Sequence, residues 1–239
     1  MNKIHFDSID STNNYLIQNY KKLDDYTFVS ANFQTCGKGR NKRTWKSENG
    51  ENLLFSLLLL DKQLLDHYKE LSIIAAYSII KELEKLGINN LKIKWPNDIY
   101  VNDKKICGIL LESIYTDKME CLIIGVGLNV NQKIFNDEYR VEPTSIINEI
   151  NSKQDINSLK DIIFNAVVKD IEEVKNRKNF FHLIEGYDYL KGKTISFEEN
   201  NIEKIVQVKG IQEDYSLLVN DNGKLIYLYS GEVNSINIK

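Results

Sequence analysis

LKIKWPNDIYVNDKKICGILLESIYTDKMECLIIGVGLNVN, residues 91–131, decides the fold class. Four β-type runs, LKIKW, IYV, ICGILLESIY and ECLIIGVGLNV, alternate with the turn segments PND, NDKK and TDKM. Runs separated by breaks this short pair with their chain neighbours, so the stretch predicts an antiparallel meander. Alternation sets Leu91, Ile93 and Trp95 on one face and Lys92 and Lys94 on the other, and Pro96 ends the run before Asn97 and Asp98.

Upstream, residues 26–32 (YTFVSAN) and Asn52 to Leu60 read as two strands joined by a loop that contains CGKGRNKRTW, residues 36–45. Before them, NNYLIQNYKK reads as a short helix capped at Asp10 or Ser11. From His67 to Leu86 the positions Leu71, Ile74, Ala75, Ser78, Ile79 and Leu83 recur at helical spacing, and Gly87 supplies the stop. Downstream, residues 157–176 and roughly 178–190 return to helical periodicity, with Asn157 or Ser158 as the cap. After Leu190 only strand and turn signals remain, in KTISFE, EKIVQVKGI, YSLLVN and KLIYLYSGEV. The expectation is an α+β fold: a mixed, mainly antiparallel sheet with helices on one side over residues 1–190, then a small β-barrel over 191–239.

Bulk composition narrows the function classes. The 239 residues carry 42% hydrophobic and 27% charged side chains, ordinary for a soluble globular protein. A formal net charge of −3 argues against wholesale phosphate neutralisation, so no nucleic-acid partner is expected and the basic loop is a local feature. Cys36, Cys107 and Cys121 form an odd set without CxxC spacing, which suits a reduced, cytoplasmic compartment. The longest apolar run, Leu53 to Leu60, is broken by Ser56 and falls short of a membrane span. His5, His67 and His182 are too scattered to suggest a metal site by spacing.

Three constellations could carry chemistry. In the loop, Gly37 and Gly39 permit positive φ and close backbone approach while Lys38, Arg40, Lys42 and Arg43 gather cations in one small volume, a combination that suits a phosphate or carboxylate. The loop lacks the GK[ST] end of a Walker A motif and the third glycine of a dinucleotide fingerprint, and a solvated basic hairpin with turn glycines fits the same residues. Trp45 could stack on a base or simply pack. In the meander, Lys104 and Lys105 adjoin an apolar run and Gly108 lets something approach the backbone, although PND and NDKK are also ordinary turns. In IIGVGLNVN, Gly125, Gly127 and Asn129 give up packing area, which either a ligand on the sheet or a bulge would explain.

Taken in order, DSTNN, QTCGKGRNKRTW, KWPNDIYVNDKKICGIL, GVGLNVN and the terminal SGEV resemble the biotin protein ligases, also called biotin-[acetyl-CoA-carboxylase] ligases, over essentially the whole chain. The GxGRxxRxW pattern separates that family from the lipoate ligases, and Lys38 stands where many members have Arg. The resemblance implies a class II synthetase-like catalytic domain with an SH3-like C-terminal barrel. It also implies a two-step reaction: biotin and ATP, with Mg²⁺ on the phosphates, give biotinoyl-5′-AMP and pyrophosphate, and the acyl group passes to a lysine of a biotin carboxyl carrier protein. By the same resemblance Ser11, Thr12, Asn13 and Gln34 contact biotin, with Gly37, Gly108, Gly125 and Gly127 as close backbone approaches and Leu110 and Leu128 as apolar walls.

Carried over the same way, Lys38, Gly39 and Arg40 wrap biotin and the adenylate, with Arg43 beside the phosphate and Trp45, Leu128 and Asn129 near the nucleotide. Lys105 touches both the biotin carboxylate and the α-phosphate, and Lys94 lies on the phosphate side. Asp98 is a candidate proton acceptor in the second step, or with Asn97 a contact to Mg²⁺ or the adenylate. Cys36 and Cys107 read as packing residues. The helix-turn-helix domain that some members carry has no counterpart before Asp10, so a ligase without operator binding is expected, as a monomer or homodimer. The competing readings are a lipoate-type or octanoyl-type ligase and a non-catalytic biotin or nucleotide sensor.

Overall fold

A computed structural model describes residues 2–199, 202–229, 231 and 233–235. Ser230 and Glu232 of the SGEV motif lie outside the described residues. The elements run β1 (Lys3–Ile9), α1 (Thr12–Asn19), β2 (Phe28–Gln34), β3 (Asn52–Leu59), α2 (Lys62–Asp66), α3 (Tyr68–Lys85), β4 (Leu91–Lys94), β5 (Asp98–Val101), β6 (Lys104–Tyr115) and β7 (Met119–Asn129). There follow α4 (Ile146–Ile150), α5 (Ile156–Lys175), α6 (Phe181–Ile184), β8 (Thr194–Glu199), β9 (Ile202–Ile211), β10 (Leu217–Asp221), β11 (Lys224–Leu228) and β12 (Val233–Ser235).

The first seven strands form one sheet in the order β1-β2-β3-β7-β6-β5-β4. The β4–β7 meander is antiparallel throughout, as its turns demand, and β1, which the sequence did not reveal, adds the one parallel pairing at the edge beside β2. Successive side chains alternate between the two faces. One face directs Phe28, Phe55, Leu57, Leu59, Leu122 and Ile124 toward α3 and α5, whose buried residues Leu71, Ile74, Ile79, Ile163, Val167 and Ile171 complete the main core. The other face directs Val29, Leu58 and Ile123 against Leu16 of α1. The two long helices thus share one side, and the short α1 takes the other.

α1 starts where Ser11, in extended conformation, accepts a hydrogen bond from the Asn14 amide through its side chain. The cap of α5 is Asp155 rather than Asn157 or Ser158, because the Asp155 carboxylate accepts both of their amides, at 2.8 and 3.3 Å. Those two bonds hold the Asp155 carboxyl below the usual carboxylate range. Helix over residues 178–190 shrinks to α6 and one 3₁₀ turn, Glu185–Tyr187.

The remaining strands form a separate sheet in the order β11-β10-β9-β8-β12. Consecutive strands β11 and β12 occupy opposite edges, so among the described residues the expected barrel is an open antiparallel sheet. It docks on the first sheet by polar bonds as well as packing. The Trp95 indole N–H donates to the Tyr215 carbonyl at 3.0 Å, and the half-buried Asp188 carboxylate accepts the amides of Leu190, Lys191 and Ile211.

Candidate active site

The same face that carries α1 becomes a trough where its side chains disappear. Gly125 faces Ser56 on β3 and Leu110 on β6, and Gly127 faces Leu54 and Gly108. Beside the end of α1, three glycines therefore replace the bulky residues that Leu58 and Ile123 supply beneath it. The trough opens into a cavity of 590 Å³.

Its polar end is built at the N-terminus of α1. Gln34 Oε1 accepts from the Thr12 amide at 2.7 Å and lies 3.0 Å from the Thr12 hydroxyl oxygen. The Thr12 hydroxyl lies 2.6 Å from that of Ser56, which donates to Asn13 Oδ1. Asn13 Nδ2 donates to Glu112 Oε2 at 2.8 Å. Ser11, Thr12, Asn13 and Ser56 are all buried, so this network is rigid, and it presents amide and hydroxyl groups in fixed directions. Ser56 and Glu112 were not singled out in the sequence, because both sit inside strands that read as packing.

The basic loop is a hairpin. Lys38 pairs with Thr44, the Gly39 amide donates to the Arg43 carbonyl at 2.7 Å, and the Trp45 amide donates to the Gly37 carbonyl at 2.8 Å. Positive φ falls on Asn41 and Lys42, not on the glycines expected to need it. Gly37 is absent from the cavity wall; a Cβ there would meet the Trp45 carbonyl at 2.5 Å, so the glycine serves the pairing of the two arms. Trp45 lies on the glycine floor: added Cβ atoms at Gly108 and Gly127 would stand 2.8 and 2.5 Å from its ring. Its indole N–H is buried and donates to no protein atom. At the hairpin tip, Arg40 donates to Asn97 Oδ1 at 3.2 Å and to the Gly231 carbonyl at 2.8 Å.

The third wall comes from β4, β5 and β6. A β-bulge makes Cys107 face Ile99 and Lys105 face Tyr100, which leaves Ile106 as an extra residue. Strict alternation would send Lys105 into the core with Ile109; the bulge turns it to the trough, where a Cβ on Gly108 would be 3.2 Å from its Nζ. Lys105 Nζ lies 2.8 Å from Asp98 Oδ1 and 5.4 Å from the centre of the Trp45 ring. The Asp98 contact is electrostatic rather than directed, since this buried oxygen accepts no hydrogen bond. Lys94 is buried and donates to the Tyr100 hydroxyl at 3.3 Å. Burial, with the Asp98 charge adding to it, pushes the Tyr100 phenol well above its usual range. Asn97 Nδ2 donates to the Ile109 carbonyl at 2.6 Å, and Asn129 Nδ2 to the Thr144 carbonyl at 2.8 Å.

One cavity thus gathers Ser11, Thr12, Asn13, Gln34, Lys38, Gly39, Arg40, Arg43, Trp45, Lys94, Asn97, Asp98, Lys105, Gly108, Leu110, Gly125, Gly127 and Asn129. Leu128 is directed elsewhere: period-two alternation from Gly127 turns it into the core, where it is fully buried. Cys36 is exposed rather than packed, whereas Cys107 is buried and its thiol is pushed up by desolvation. Phe135, Tyr139, Arg140 and Val141 from the β7–α4 connection also line the cavity, and no local sequence signal marked them. Among the described residues no cluster of three or more His, Cys, Asp or Glu could hold a metal, and no helix is long and apolar enough to cross a membrane.

The Biotin/lipoate A/B protein ligase family model matches residues 5–129, more than half of the chain and most of the cavity wall. The chain belongs to that family. This ligase-family chain is 38% identical over 132 residues to the bifunctional ligase/repressor BirA of Bacillus subtilis, covering 54% of its own length and 41% of the relative. It is 27% identical to biotin–protein ligase 2 of Arabidopsis thaliana, covering 96% of the chain and 72% of that protein. The chain spans about four tenths of the length of the curated Bacillus relatives it matches. Among solved structures, a biotin protein ligase from Aquifex aeolicus in complex with biotin and ATP superposes with a TM-score of 0.86 at 25% identity, covering 98% of each chain.

Proposed function

We propose that this protein is an ATP-dependent biotin protein ligase. The observation that carries the reading is the bulge-directed Lys105 at the junction of the polar end of the trough and the arginine-bearing hairpin. Biotin has a ureido group at one end and a carboxylate at the other. The Gln34, Thr12, Ser56 and Asn13 network suits the first, and Lys105 suits the second. The glycine floor and Leu110 accommodate the apolar body between them.

In the first step the biotin carboxylate attacks the α-phosphorus of ATP, a P–O bond forms, and pyrophosphate leaves. Two anions must meet, so the barrier is lowered by cations that are already in place. Lys105 neutralises the carboxylate and the α-phosphate together, while Arg40 and Arg43 on the hairpin and Lys94 on β4 offset the charge of the phosphate chain. Asn97 fixes Arg40, and Asp98 fixes the Lys105 ammonium. The buried Trp45 N–H is available to a ligand acceptor. Mg²⁺ would be held chiefly by the ATP phosphates, with Asp98 as a protein carboxylate beside them, and would screen phosphate charge.

In the second step the ε-amine of a lysine on a biotin carboxyl carrier protein attacks the acyl carbon of the mixed anhydride, an amide forms and AMP leaves. The amine must lose a proton, and Asp98, whose Oδ1 accepts no directed hydrogen bond, is the carboxylate we assign as its acceptor. The anhydride has to be kept from water until the carrier arrives, and closure of the Thr35–Ser47 hairpin over it supplies that exclusion. Residues 1–190 would form the catalytic unit and residues 191–239 a C-terminal unit.

Biotin-dependent exchange of pyrophosphate into ATP, run beside lipoate, tests the reading. Exchange with biotin alone supports it. Exchange with lipoate would move the protein to the lipoate-type branch, and tight biotin binding without exchange would make it a sensor.

A further inference from the structure

Glu112 takes no direct part in the chemistry above, yet it touches both halves of the site. It stands on β6 opposite Ile123, two residues beyond Leu110 and on the same face, at the border between the glycine floor and the residues under α1. Each carboxylate oxygen has its own partner. Oε1 accepts from Lys38 Nζ at 2.9 Å, on the first arm of the hairpin, and Oε2 accepts from Asn13 Nδ2 at 2.8 Å, in the polar end of the trough.

We infer that Glu112 is a positioning residue that latches the hairpin to the sheet through Lys38 and sets the Asn13 amide through its other oxygen. The second half follows from hydrogen-bond polarity. A carboxylate only accepts, so it fixes Asn13 with Nδ2 toward Glu112 and Oδ1 toward the Ser56 hydroxyl. The Ser56 hydroxyl, having donated to Asn13, can only accept from Thr12, whose hydroxyl is then spent on it. Gln34 Oε1 is consequently held by the Thr12 amide. One carboxylate thereby sets the donor and acceptor sense of the whole polar end. The first half follows from the hairpin's other anchors: the Trp45 ring pins the second arm and Arg40 pins the tip, so the Lys38–Glu112 pair is the ionic tie on the first arm. Both side chains are part-exposed, so the tie is modest and reversible, as a loop that must admit a ligand requires.

This inference deepens the ligase reading and rests on it only for its binding arm. The first arm of the test needs no ligand. Full-length wild type, Glu112→Gln, Lys38→Met and the double variant are digested briefly with trypsin, and cleavage after Arg40, Lys42 and Arg43 is scored by mass spectrometry alongside the melting temperature. Glu112→Gln is expected to speed hairpin cleavage about fivefold at unchanged melting temperature, and the double variant to cleave no faster than either single. Wild-type rates in Glu112→Gln, or single effects that multiply in the double variant, would overturn the latch.

The second arm titrates biotin into wild type, Glu112→Gln and Glu112→Ala. Gln retains an acceptor for Asn13 and Ala does not, so affinity should fall in that order, and in pyrophosphate exchange the change should appear in KM for biotin rather than in kcat. Equal affinities would overturn the role in setting Asn13. A wild-type protein that binds no biotin would refute the ligase reading, while the cleavage arm would still decide the latch.

Discussion

The two faces of β6 and β7 have the same backbone and opposite contents. One carries Ile109, Val126 and Leu128, all buried in the main core beneath the long helices. The other carries Gly108, Leu110, Gly125 and Gly127, and on it lie Trp45, Asn13 and the cavity. The difference shows a division of labour within single strands: one face stabilises the fold by burial, and its reverse gives burial up, leaving the backbone open to the hairpin's Trp45 and to the cavity.

The division can be broken deliberately. Lys105→Ala removes a cation from the trough without opening the core, so biotin-dependent pyrophosphate exchange should drop by on the order of 1,000-fold while the melting temperature stays put. An equally large loss of stability would show that the faces are not separable. Leu128→Ala is the mirror experiment. It should cost about 3 kcal/mol in chemical denaturation and leave kcat near wild type at low temperature, because the cavity it creates lies behind the sheet. Gly127→Ala drives a methyl group into the Trp45 ring; since the hairpin can shift, stability should hold while KM for biotin rises about tenfold. An unchanged KM would mean that Trp45 need not touch that glycine when biotin is bound.

The smallest effect separates the thiols. Cys36 is exposed, whereas Cys107 is buried on the core face and burial pushes the Cys121 thiol up to about 11. Alkylation of the native protein near neutral pH should therefore consume one thiol per chain, with the other two reacting only after unfolding. Labelling of Cys107 in the folded state would reveal opening of the core face.

The meander and both long helices were legible because each depends on local pattern, period two or period 3.6; the glycines beside cations drew notice in the same way, whereas Ser11, Thr12, Asn13 and Gln34 were reached only through the family resemblance. What was hidden depends on partners distant in sequence. β1 has polar residues at every second position and exists because β2 offers a parallel edge. Ser56 and Glu112 lie inside apolar strands, and their function appears only when α1 and the hairpin arrive above them. Leu128 was assigned to the wrong face because motif matching ignores the alternation that Gly127 and Asn129 enforce on either side of it. The segment after Lys178 has helical spacing but is committed to the second sheet, through Phe180, whose amide meets the Tyr215 hydroxyl, and through Asp188.

The extra residue at Ile106 has a consequence for how this site can change. Substitutions in β6 alter what a side chain is, but straightening the bulge, with Ile106 kept and paired opposite Tyr100, would alter where every side chain before it points. Lys105 would then turn inward without being mutated, whereas loss of Ile106 altogether would set Lys105 directly before Cys107, where plain alternation already aims it at the trough. The placement of the cation is thus encoded in the register of the strand rather than in the identity of Ile106.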